Sequence, residues 1–367
     1  MQTKENRSGR SDHHGKDGKG PQHDAGNLPC LWHQDDQVHQ VGRRRSAISI
    51  VHFSFSTSDP LFQSEPHSAR LRANPNPIFV AFGAAGLEIG SSNLKFHITL
   101  VDIDSLKPHE EVIDTLVKSL ANKIQSQGIV RDPIMVDQKE HVILDGMHRF
   151  SSLKLLKCRF APCCLVDYDN PRIKVGSWFR LFATEHAEPL ARNLLTENKL
   201  PYVEERTGVG QDRLDPRIVI FSKDGNCYRL EKSYDPIELT KIAVKLERAL
   251  SARGYRVNYL SENAAFQKLN SGNADLVIAI PVFTKQQIRN FGVQGLLLPH
   301  KVTRHVMPSR PLRLDVPLPL LMQQNDTQAE ADLELRALLS SRRVERKPPG
   351  SVVDGRRYEE ELLVFTA

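Results

Sequence analysis

The stretch Ile143-Leu144-Asp145-Gly146-Met147-His148-Arg149 contains the junction that decides the fold. Its first residues are apolar, as in a short buried strand, and a helical pattern of apolar residues follows over 147–156. Where a strand gives way to a helix, backbone N–H groups and the positive end of the helix dipole face an anion. Gly146 would let a phosphate approach the backbone, with His148 and Arg149 as further donors. A tight turn with a solvated Arg149 explains the same residues equally well.

The residues around this junction predict a small unit of strands and helices. A β-branched run over 96–103 predicts a strand. Two apolar runs, 133–136 and 141–144, flank a polar turn and predict a hairpin, and 163–166 predicts a last strand. Between the first strand and the hairpin, apolar residues repeat at helical spacing up to a glycine cap at Gly128: Val112, Ile113, Leu116, Val117, Leu120, Ala121 and Ile124. The predicted order is strand, helix, hairpin, helix, strand.

Composition divides the chain into four regions. Residues 1–93 are rich in Gly, Ser, His, Asn, Asp and Pro and predict a disordered or low-complexity extension. A first domain over 94–171 is followed by a smaller mixed α/β domain over 172–321, where Asp235-Pro236 supplies a helix cap and a first-turn proline. Residues 322–367 are polar and basic and predict a poorly ordered tail. The expected fold class is α/β (α+β), with two domains between disordered extensions.

Charge and cysteine content argue against several classes of protein. The formal net charge of +6 would permit binding of nucleic acid or acidic ligands, but the basic residues are scattered among acidic ones, so the overall charge discriminates poorly. Nucleic acid is not an expected partner. The longest mostly apolar run, 77–89, is too short and glycine-broken to span a bilayer. An odd number of cysteines, with no CxxC pair, opposes a disulfide framework: Cys30, Cys158, Cys163, Cys164 and Cys227. We predict a soluble cytoplasmic protein without membrane association.

Three further groups of residues are candidates for a site. Glu110, in Lys107-Pro108-His109-Glu110, is expected at a helix start, where acidic residues commonly complement the helix dipole. The cluster 301–308 contains Thr303, Arg304 and His305 and suits a carboxylate or phosphate, although a solvated loop is the plainer interpretation. Trp178 could form a wall of a small-ligand pocket or simply fill the core.

The ordered motifs of this chain resemble a known family. KPHEEV (107–112), QSQGIVRDPIMV (125–136) and VILDGMHRFSSLK (142–154) resemble the ParB/sulfiredoxin-like domain, and the pairing of HE with DGxHR is similar to its free serine kinase branch. The segment KVGSW (174–178) and the motif TRHVMP (303–308) are similar to later motifs of the same family. The resemblance covers roughly 96–321.

The resemblance implies a kinase that transfers a phosphoryl group from ATP or ADP to the hydroxyl of L-serine, with Mg²⁺. A serine hydroxyl is a poor nucleophile, so a carboxylate that accepts its proton is useful, and Glu110 would be that base. Asp145 would be catalytic and would hold or orient the magnesium, and Arg304 with His305 would be the cationic partner of the serine carboxylate. The remaining implied contacts are Gly146, His148 and Arg149 with nucleotide phosphates, and Trp178 and Thr303 with serine.

One departure from the family pattern bears on the alternatives. Members often carry DGHHR, whereas Met147 stands at the first of the two histidine positions and removes one phosphate or metal contact. Sulfiredoxin has a nucleophilic cysteine at that place, so its chemistry is not expected here. A ParB-like DNA- or nucleotide-binding regulator without kinase activity is the main alternative, and a catalytically silent ligand sensor on the same scaffold is another.

Overall fold

The structure, a computed structural model, describes residues 52–53, 79–83, 86–91, 94–184, 186–206, 215, 217–323 and 327–366. Within these ranges a short 3₁₀ helix spans Ile103–Ser105. The α-helices of the same ranges are α1 (Asp114–Gln127), α2 (Met147–Leu155), α3 (Ala187–Glu197), α4 (Pro236–Ala252), α5 (Glu262–Asn270), α6 (Lys285–Gln294), α7 (Leu318–Met322) and α8 (Gln328–Ser340).

The strands of the described residues fall into two large sheets and three small ones. Those up to the start of the second sheet are β1 (His52–Phe53), β2 (Phe79–Gly83), β3 (Gly86–Ser91), β4 (Leu94–Asp102), β5 (Ile129–Val130), β6 (Ile134–Asp137), β7 (Ile143–Asp145) and β8 (Phe160–Val166). Those that follow are β9 (Lys174–Phe182), β10 (Tyr202–Arg206), β11 (Ile218–Ser222), β12 (Asn226–Leu230), β13 (Asn258–Ser261), β14 (Leu276–Ile278), β15 (Thr303–Val306), β16 (Ser309–Leu312), β17 (Val316–Pro317), β18 (Arg343–Lys347), β19 (Val352–Val353), β20 (Arg356–Arg357) and β21 (Glu361–Thr366).

The first sheet has the strand order β1-β2-β3-β4-β8-β6-β7. The central strand β4 is antiparallel to both β3 and β8, and β8 runs parallel to β6. The predicted order of strand, helix, hairpin, helix and strand is present as β4, α1, β6 with β7, α2 and β8. The helix α1 ends, as expected, at Gly128, which has φ 68° in the left-handed region.

The second sheet has the order β10-β12-β11-β14-β9-β13, and β15 also pairs with β9. Strand β15 is antiparallel to β9, with Thr303 opposite Ser177 and Arg304 opposite Gly176. This pairing brings the 303–306 motif to the neighbourhood of Trp178. The mixed helix and strand content confirms the predicted fold class, α/β (α+β).

A buried arginine on α6 connects this helix to the first sheet. Arg289 donates from Nε and Nη2 to both carboxylate oxygens of Asp137 on β6, at 2.8 and 3.1 Å. It also donates to Asp169 in the segment between β8 and β9, and its guanidinium lies 5.3 Å from the ring centre of Tyr168. Paired in this fork geometry, a buried charge ties the helix to the first sheet.

The expectation for 322–367 is corrected by the structure. Helix α8 packs against β4, where buried Asp332 accepts hydrogen bonds from Leu100 N at 2.6 Å and from Thr99 Oγ1 at 2.7 Å. Strand β21 lies between β16 and β18. The side chains of α8 that complete the hydrophobic core of the first sheet are Ala331, Leu335 and Leu339. The charged residues of α8 and the basic stretch that follows it explain why the segment looks like a tail in sequence.

The expectation of an extension over 1–93 is also corrected in part. Strands β2 and β3 precede residue 94 and belong to the first sheet, where Leu87 and Ile89 are buried. The predictions for residues 1–51 and 54–78, including Cys30, lie outside the described residues. The other cysteines are buried free thiols: Cys158, Cys163, Cys164 and Cys227. None of the helices in the described ranges is long and apolar enough to cross a membrane.

Candidate active site

The predicted strand-to-helix junction is present at the amino terminus of α2. Gly146 is the N-cap residue and has φ 106°, a conformation that side-chain-bearing residues rarely adopt. A Cβ atom at this position would lie 2.9 Å from Nη1 of Arg149 and 3.4 Å from the Cα of Ile134. The absence of a side chain therefore leaves room for the Arg149 guanidinium beside the helix start. That guanidinium is oriented by a 2.6 Å hydrogen bond to the carbonyl oxygen of Pro133.

Asp145, the last residue of β7, forms an ion pair with the buried Arg310 of β16. Burial favours the neutral acid, but the positive charges of Arg310, Arg149 and Arg356 prevail and hold the pKa of Asp145 well below its ordinary range. The carboxylate is therefore ionised at neutral pH. Arg310 also donates to Glu360 at 2.8 Å. Sequence reasoning did not select Arg310, because its partner lies 165 residues away in the chain.

The sequence predicts Glu110 at a helix start, but the structure does not place it there. Helix α1 begins at Asp114, and Glu110 instead forms an isolated bridge with Leu298. Its Oε1 accepts two hydrogen bonds from Thr303, one from the backbone N–H and one from the hydroxyl. Burial raises the pKa of Glu110, while the Thr303 hydrogen bonds and the positive charges of Lys301 and Arg180 oppose the shift. A desolvated carboxylate with a raised pKa is a group suited to accept a proton.

His109 completes the hydrogen bonding around this carboxylate. It is 1% exposed, and its Nε2 lies 2.9 Å from Thr303 Oγ1. Because the Thr303 hydroxyl gives its single proton to Glu110, Nε2 of His109 carries the proton that Thr303 accepts. Burial lowers the pKa of His109 to about 4, so the ring is neutral at neutral pH. His109 belongs to the KPHEEV motif (107–112), but no local pattern assigns it a role.

A tryptophan with two cations over its ring lies where β9 and β15 meet. The ring centre of Trp178 is 4.7 Å from Nζ of Lys301 and 5.4 Å from Cζ of Arg304. Such cation–π contacts orient long basic side chains without consuming their hydrogen-bond donors. Arg304 also pairs with the carboxylate of Glu359. The Trp178 ring thus marks a half-buried patch with more than one positive charge.

His305 does not contribute positive charge to this patch. Burial, with neighbouring His109 adding to it, lowers the pKa of His305 to about 3. Its Nε2 is 2.8 Å from the hydroxyl of Tyr168, and its ring meets that of His109 edge-on at 5.6 Å. The expected cationic pair of Arg304 with His305 is therefore corrected, because burial keeps His305 neutral and Arg304 alone carries the charge.

His148 links α2 to the segment that carries Glu110. Its Nε2 accepts a hydrogen bond from the backbone N–H of Ile113 at 3.2 Å. Its ring meets that of His300 edge-on at 5.3 Å. Burial, followed by the charge of Lys301, lowers the pKa of His148. The side chain is neutral at neutral pH and is fixed between the two halves of the site.

Lys301 connects the two candidate carboxylates electrostatically. Burial lowers its pKa, and the negative charges of Asp145 and Glu110 both oppose that shift. Backbone contacts place the two segments side by side, since Ile143 N donates to Lys107 O at 3.0 Å and His148 Nε2 accepts from Ile113 N at 3.2 Å. Glu110 and the Asp145–Gly146 junction therefore lie on the same side of the molecule.

Arg180 on β9 holds the loop that carries Lys301. It is fully buried and donates to the carbonyl oxygens of Trp178 at 2.7 Å, Lys301 at 2.8 Å and His300 at 3.2 Å. A 2.8 Å hydrogen bond to Glu247 balances its charge. Arg180 was not selected from the sequence, since an arginine inside a strand gives no local indication of its carbonyl partners.

The described residues form no cluster of three or more side chains able to hold a metal ion. Mg²⁺ commonly uses one or two protein carboxylates and completes its coordination with substrate phosphates and water. Asp145, ionised and next to the α2 amino terminus, fits such a one-carboxylate site, with Arg310 as a competing partner.

The fold of this chain is similar to that of solved kinases. A free serine kinase in complex with AMP superposes with a TM-score of 0.51 at 22% identity, over 61% of this chain and 93% of that one. A C-terminally truncated SbnI from Staphylococcus aureus superposes with a TM-score of 0.54 at 22% identity, over 67% and 96%. These likenesses define the class of fold. No family model matches the chain.

In sequence, the chain is similar to curated L-serine kinases. It is 28% identical over 232 residues to the ATP-dependent L-serine kinase of Staphylothermus marinus, covering 60% of this chain and 89% of that protein. It is 25% identical over 236 residues to the ADP-dependent L-serine kinase SerK of Thermococcus kodakarensis, covering 61% and 93%. A ParB-like protein of Sulfolobus acidocaldarius is 24% identical over 217 residues, covering 58% and 91%. The resemblance to free serine kinases that the motifs predict is confirmed.

Proposed function

We propose that this protein is a free serine kinase that transfers a phosphoryl group from ATP or ADP to the hydroxyl of L-serine, giving O-phospho-L-serine. The observation that carries the proposal is the half-buried residue Glu110, whose carboxylate Thr303 fixes on the same side of the molecule as the Asp145–Gly146 junction. The similarity in sequence to both ATP- and ADP-dependent L-serine kinases supports it.

In the proposed reaction, Glu110 accepts the proton of the serine hydroxyl as the serine oxygen bonds to phosphorus. The bond between that phosphorus and the bridging oxygen breaks, and the nucleotide leaves with one phosphate fewer. His109 and Thr303 hold the carboxylate of Glu110 in place. Because phosphoryl transfer depends mainly on positioning and charge neutralisation, a fixed base and nearby cations are what the protein must provide.

The phosphate contacts of the proposal lie at the α2 amino terminus. Gly146 permits close approach to the backbone, Arg149 supplies a guanidinium, and His148 supplies a neutral imidazole. When bound at Asp145, Mg²⁺ would neutralise charge on the phosphate oxygens. Lys301 adds a positive charge between this region and Glu110.

The serine contacts of the proposal come from β9 and β15. Arg304 would bind the carboxylate of the amino acid, with Trp178 as the wall of its pocket and Thr303 and His305 at its base. We accordingly assign catalysis to a domain over 94–171 and substrate recognition to one over 172–321, with serine between them. Both substrates are small polar molecules, in keeping with the predicted cytoplasmic location.

A donor-resolved assay tests the proposal. Purified protein is incubated with L-serine, magnesium and either ATP or ADP, and O-phosphoserine is measured by mass spectrometry. Product with one donor and not the other identifies the donor. If circular dichroism shows that the protein is folded and neither donor gives product, serine kinase activity is ruled out.

The similarity to a ParB-like protein supports one second candidate, a DNA-binding regulator without kinase activity. A gel-shift titration at physiological salt separates the two. Nonspecific electrostatic binding weakens steeply as salt increases, so only complexes that survive higher salt would favour the regulator.

A further inference from the structure

The C-terminal segment brings an acidic side chain to the patch at Trp178. Glu359 pairs with Arg304, whose guanidinium lies over the Trp178 ring. The Arg304 side chain is 19% exposed, whereas that of Glu359 is 68% exposed. Glu359 lies outside 96–321, the part of the chain covered by the motif resemblance. Its carboxylate therefore reaches the proposed serine pocket from a part of the chain that those motifs do not include.

The position of Glu359 is fixed by the residues that follow it. Glu360 accepts a 2.8 Å hydrogen bond from Nε of buried Arg310. Glu361 begins β21 and pairs in register with Ser309 of β16. The backbone at 359 is thus held beside the site, while the solvent-exposed carboxylate remains able to change partner.

The charges of the site leave one group of an amino-acid substrate without a complement. L-serine carries a carboxylate and an α-ammonium group, and the candidate site is rich in cations: Arg149, Arg304, Lys301, Arg310 and Arg356. Cations repel an ammonium group, so a carboxylate near the substrate's α-carbon would stabilise it. Asp145 and Glu360 are both engaged by Arg310, and Glu110 accepts the hydroxyl proton in the proposed reaction.

We propose that Glu359 binds the α-ammonium group of the amino-acid substrate while Arg304 binds its carboxylate. This inference rests on the proposed function and makes Glu359 a specificity-determining residue. Before substrate binds, the two side chains satisfy each other. A bound amino acid inserts its own opposite charges between them, so each side chain exchanges one charged partner for another.

The test compares two ligands that differ in the ammonium group. KM and kcat for L-serine, and the inhibition constant of 3-hydroxypropanoate against L-serine, are measured for the unsubstituted protein and for Glu359→Gln. We expect KM for L-serine to rise about tenfold with kcat little changed, since a charge-assisted contact is lost. The inhibition constant of 3-hydroxypropanoate, which lacks the ammonium group, should stay the same or decrease.

Control variants separate the contact from a general charge effect. Glu345→Gln removes the same charge from a half-exposed glutamate that pairs with Lys347 on β18, and it should leave both constants unchanged. Glu359→Asp should restore part of the affinity for L-serine.

An equal rise of both constants in Glu359→Gln would overturn the inference. A lower KM for L-serine would also overturn it, because Glu359 would then be a competitor for Arg304. Absence of O-phosphoserine from the unsubstituted protein would remove the proposed function and this inference together. Product formation with unchanged ligand preference in Glu359→Gln would remove the inference alone.

Discussion

The substitution Glu110→Gln tests the centre of the proposed mechanism. Glutamine has nearly the same shape, and its Oε1 can still accept both hydrogen bonds that Thr303 donates. It cannot take a proton from the serine hydroxyl. Since a positioned general base typically contributes about 10²- to 10⁴-fold to rate, we expect kcat to fall by about that factor. Nucleotide affinity should be nearly unchanged, because the proposed phosphate contacts are at α2.

The pKa of Glu110 adds a signed prediction for pH. Burial raises this pKa above its ordinary value of 4.5. A base must be deprotonated, so kcat/KM should decline as pH falls through the raised value. For stability, the protonated carboxyl is the form that the folded protein favours. The contribution of Glu110 to the free energy of unfolding is therefore fully present below pH 4.5 and is lost as pH rises through the raised pKa. The stability of Glu110→Gln has no such pH dependence. Its melting temperature should therefore rise relative to that of the unsubstituted protein as pH increases from 4 to 8.

Three measurements check these expectations. Steady-state kinetics with L-serine give kcat, calorimetry with nucleotide gives affinity, and thermal unfolding across pH gives the difference in stability. Unaltered turnover in Glu110→Gln would refute the assignment of the base. A difference in melting temperature that does not change with pH would refute the argument from burial.

Three further substitutions test separate features. Gly146→Ala places a Cβ atom 2.9 Å from the Arg149 guanidinium at a residue with φ 106°, and it should weaken nucleotide binding, measured by calorimetry, about tenfold. Gly295→Ala is the control: this residue has φ 68° and open space around it, so the substitution should only lower stability. Arg310→Met should raise the pKa of Asp145, measured by NMR titration, and lower stability by about 2 kcal/mol because the pair is partly solvated; an unchanged pKa would contradict the assigned ion pair. Asp332→Ala removes the acceptor for two buried donors and should cost about 2 kcal/mol in urea unfolding, and a loss below about 0.5 kcal/mol would show that these two hydrogen bonds contribute little to stability.

The elements that could be predicted from sequence are those encoded by local pattern. The order of elements over 96–166 follows from periodicity, and both Gly128 and Asp235 act as the helix caps that their positions predict. The Asp145–Gly146 junction is likewise a local feature, since a strand, a glycine and a helix follow one another directly. Each of these signals depends on neighbours within a few residues.

The features that were missed depend on contacts between distant segments. Arg180 and Arg310 are buried arginines whose partners lie on other elements, and no spacing rule identifies such pairs. The helix start expected near Glu110 was wrong because that segment pairs with Leu298, which delays α1 to Asp114. Tertiary pairing overrides local propensity there.

The C-terminal helix carried a signal that was overlooked. Thr327 and Glu330 form a capping box, in which each side chain binds the backbone N–H of the other residue. Three residues of separation between a threonine and a glutamate ahead of an apolar pattern are readable from sequence. The polar and basic residues of 322–367 outnumber the apolar residues of α8, so composition alone was misleading for this segment.

The place of β21 in its sheet has a consequence for synthesis of the protein. A ribosome releases β16 and β18 before β21, although β21 is the strand that both require as a partner. Until it emerges, two unpaired strand edges stay open on the nascent chain. Glu359 emerges in the same late stretch of translation, so the proposed amino-acid site is complete only once the last strand of the small sheet has emerged.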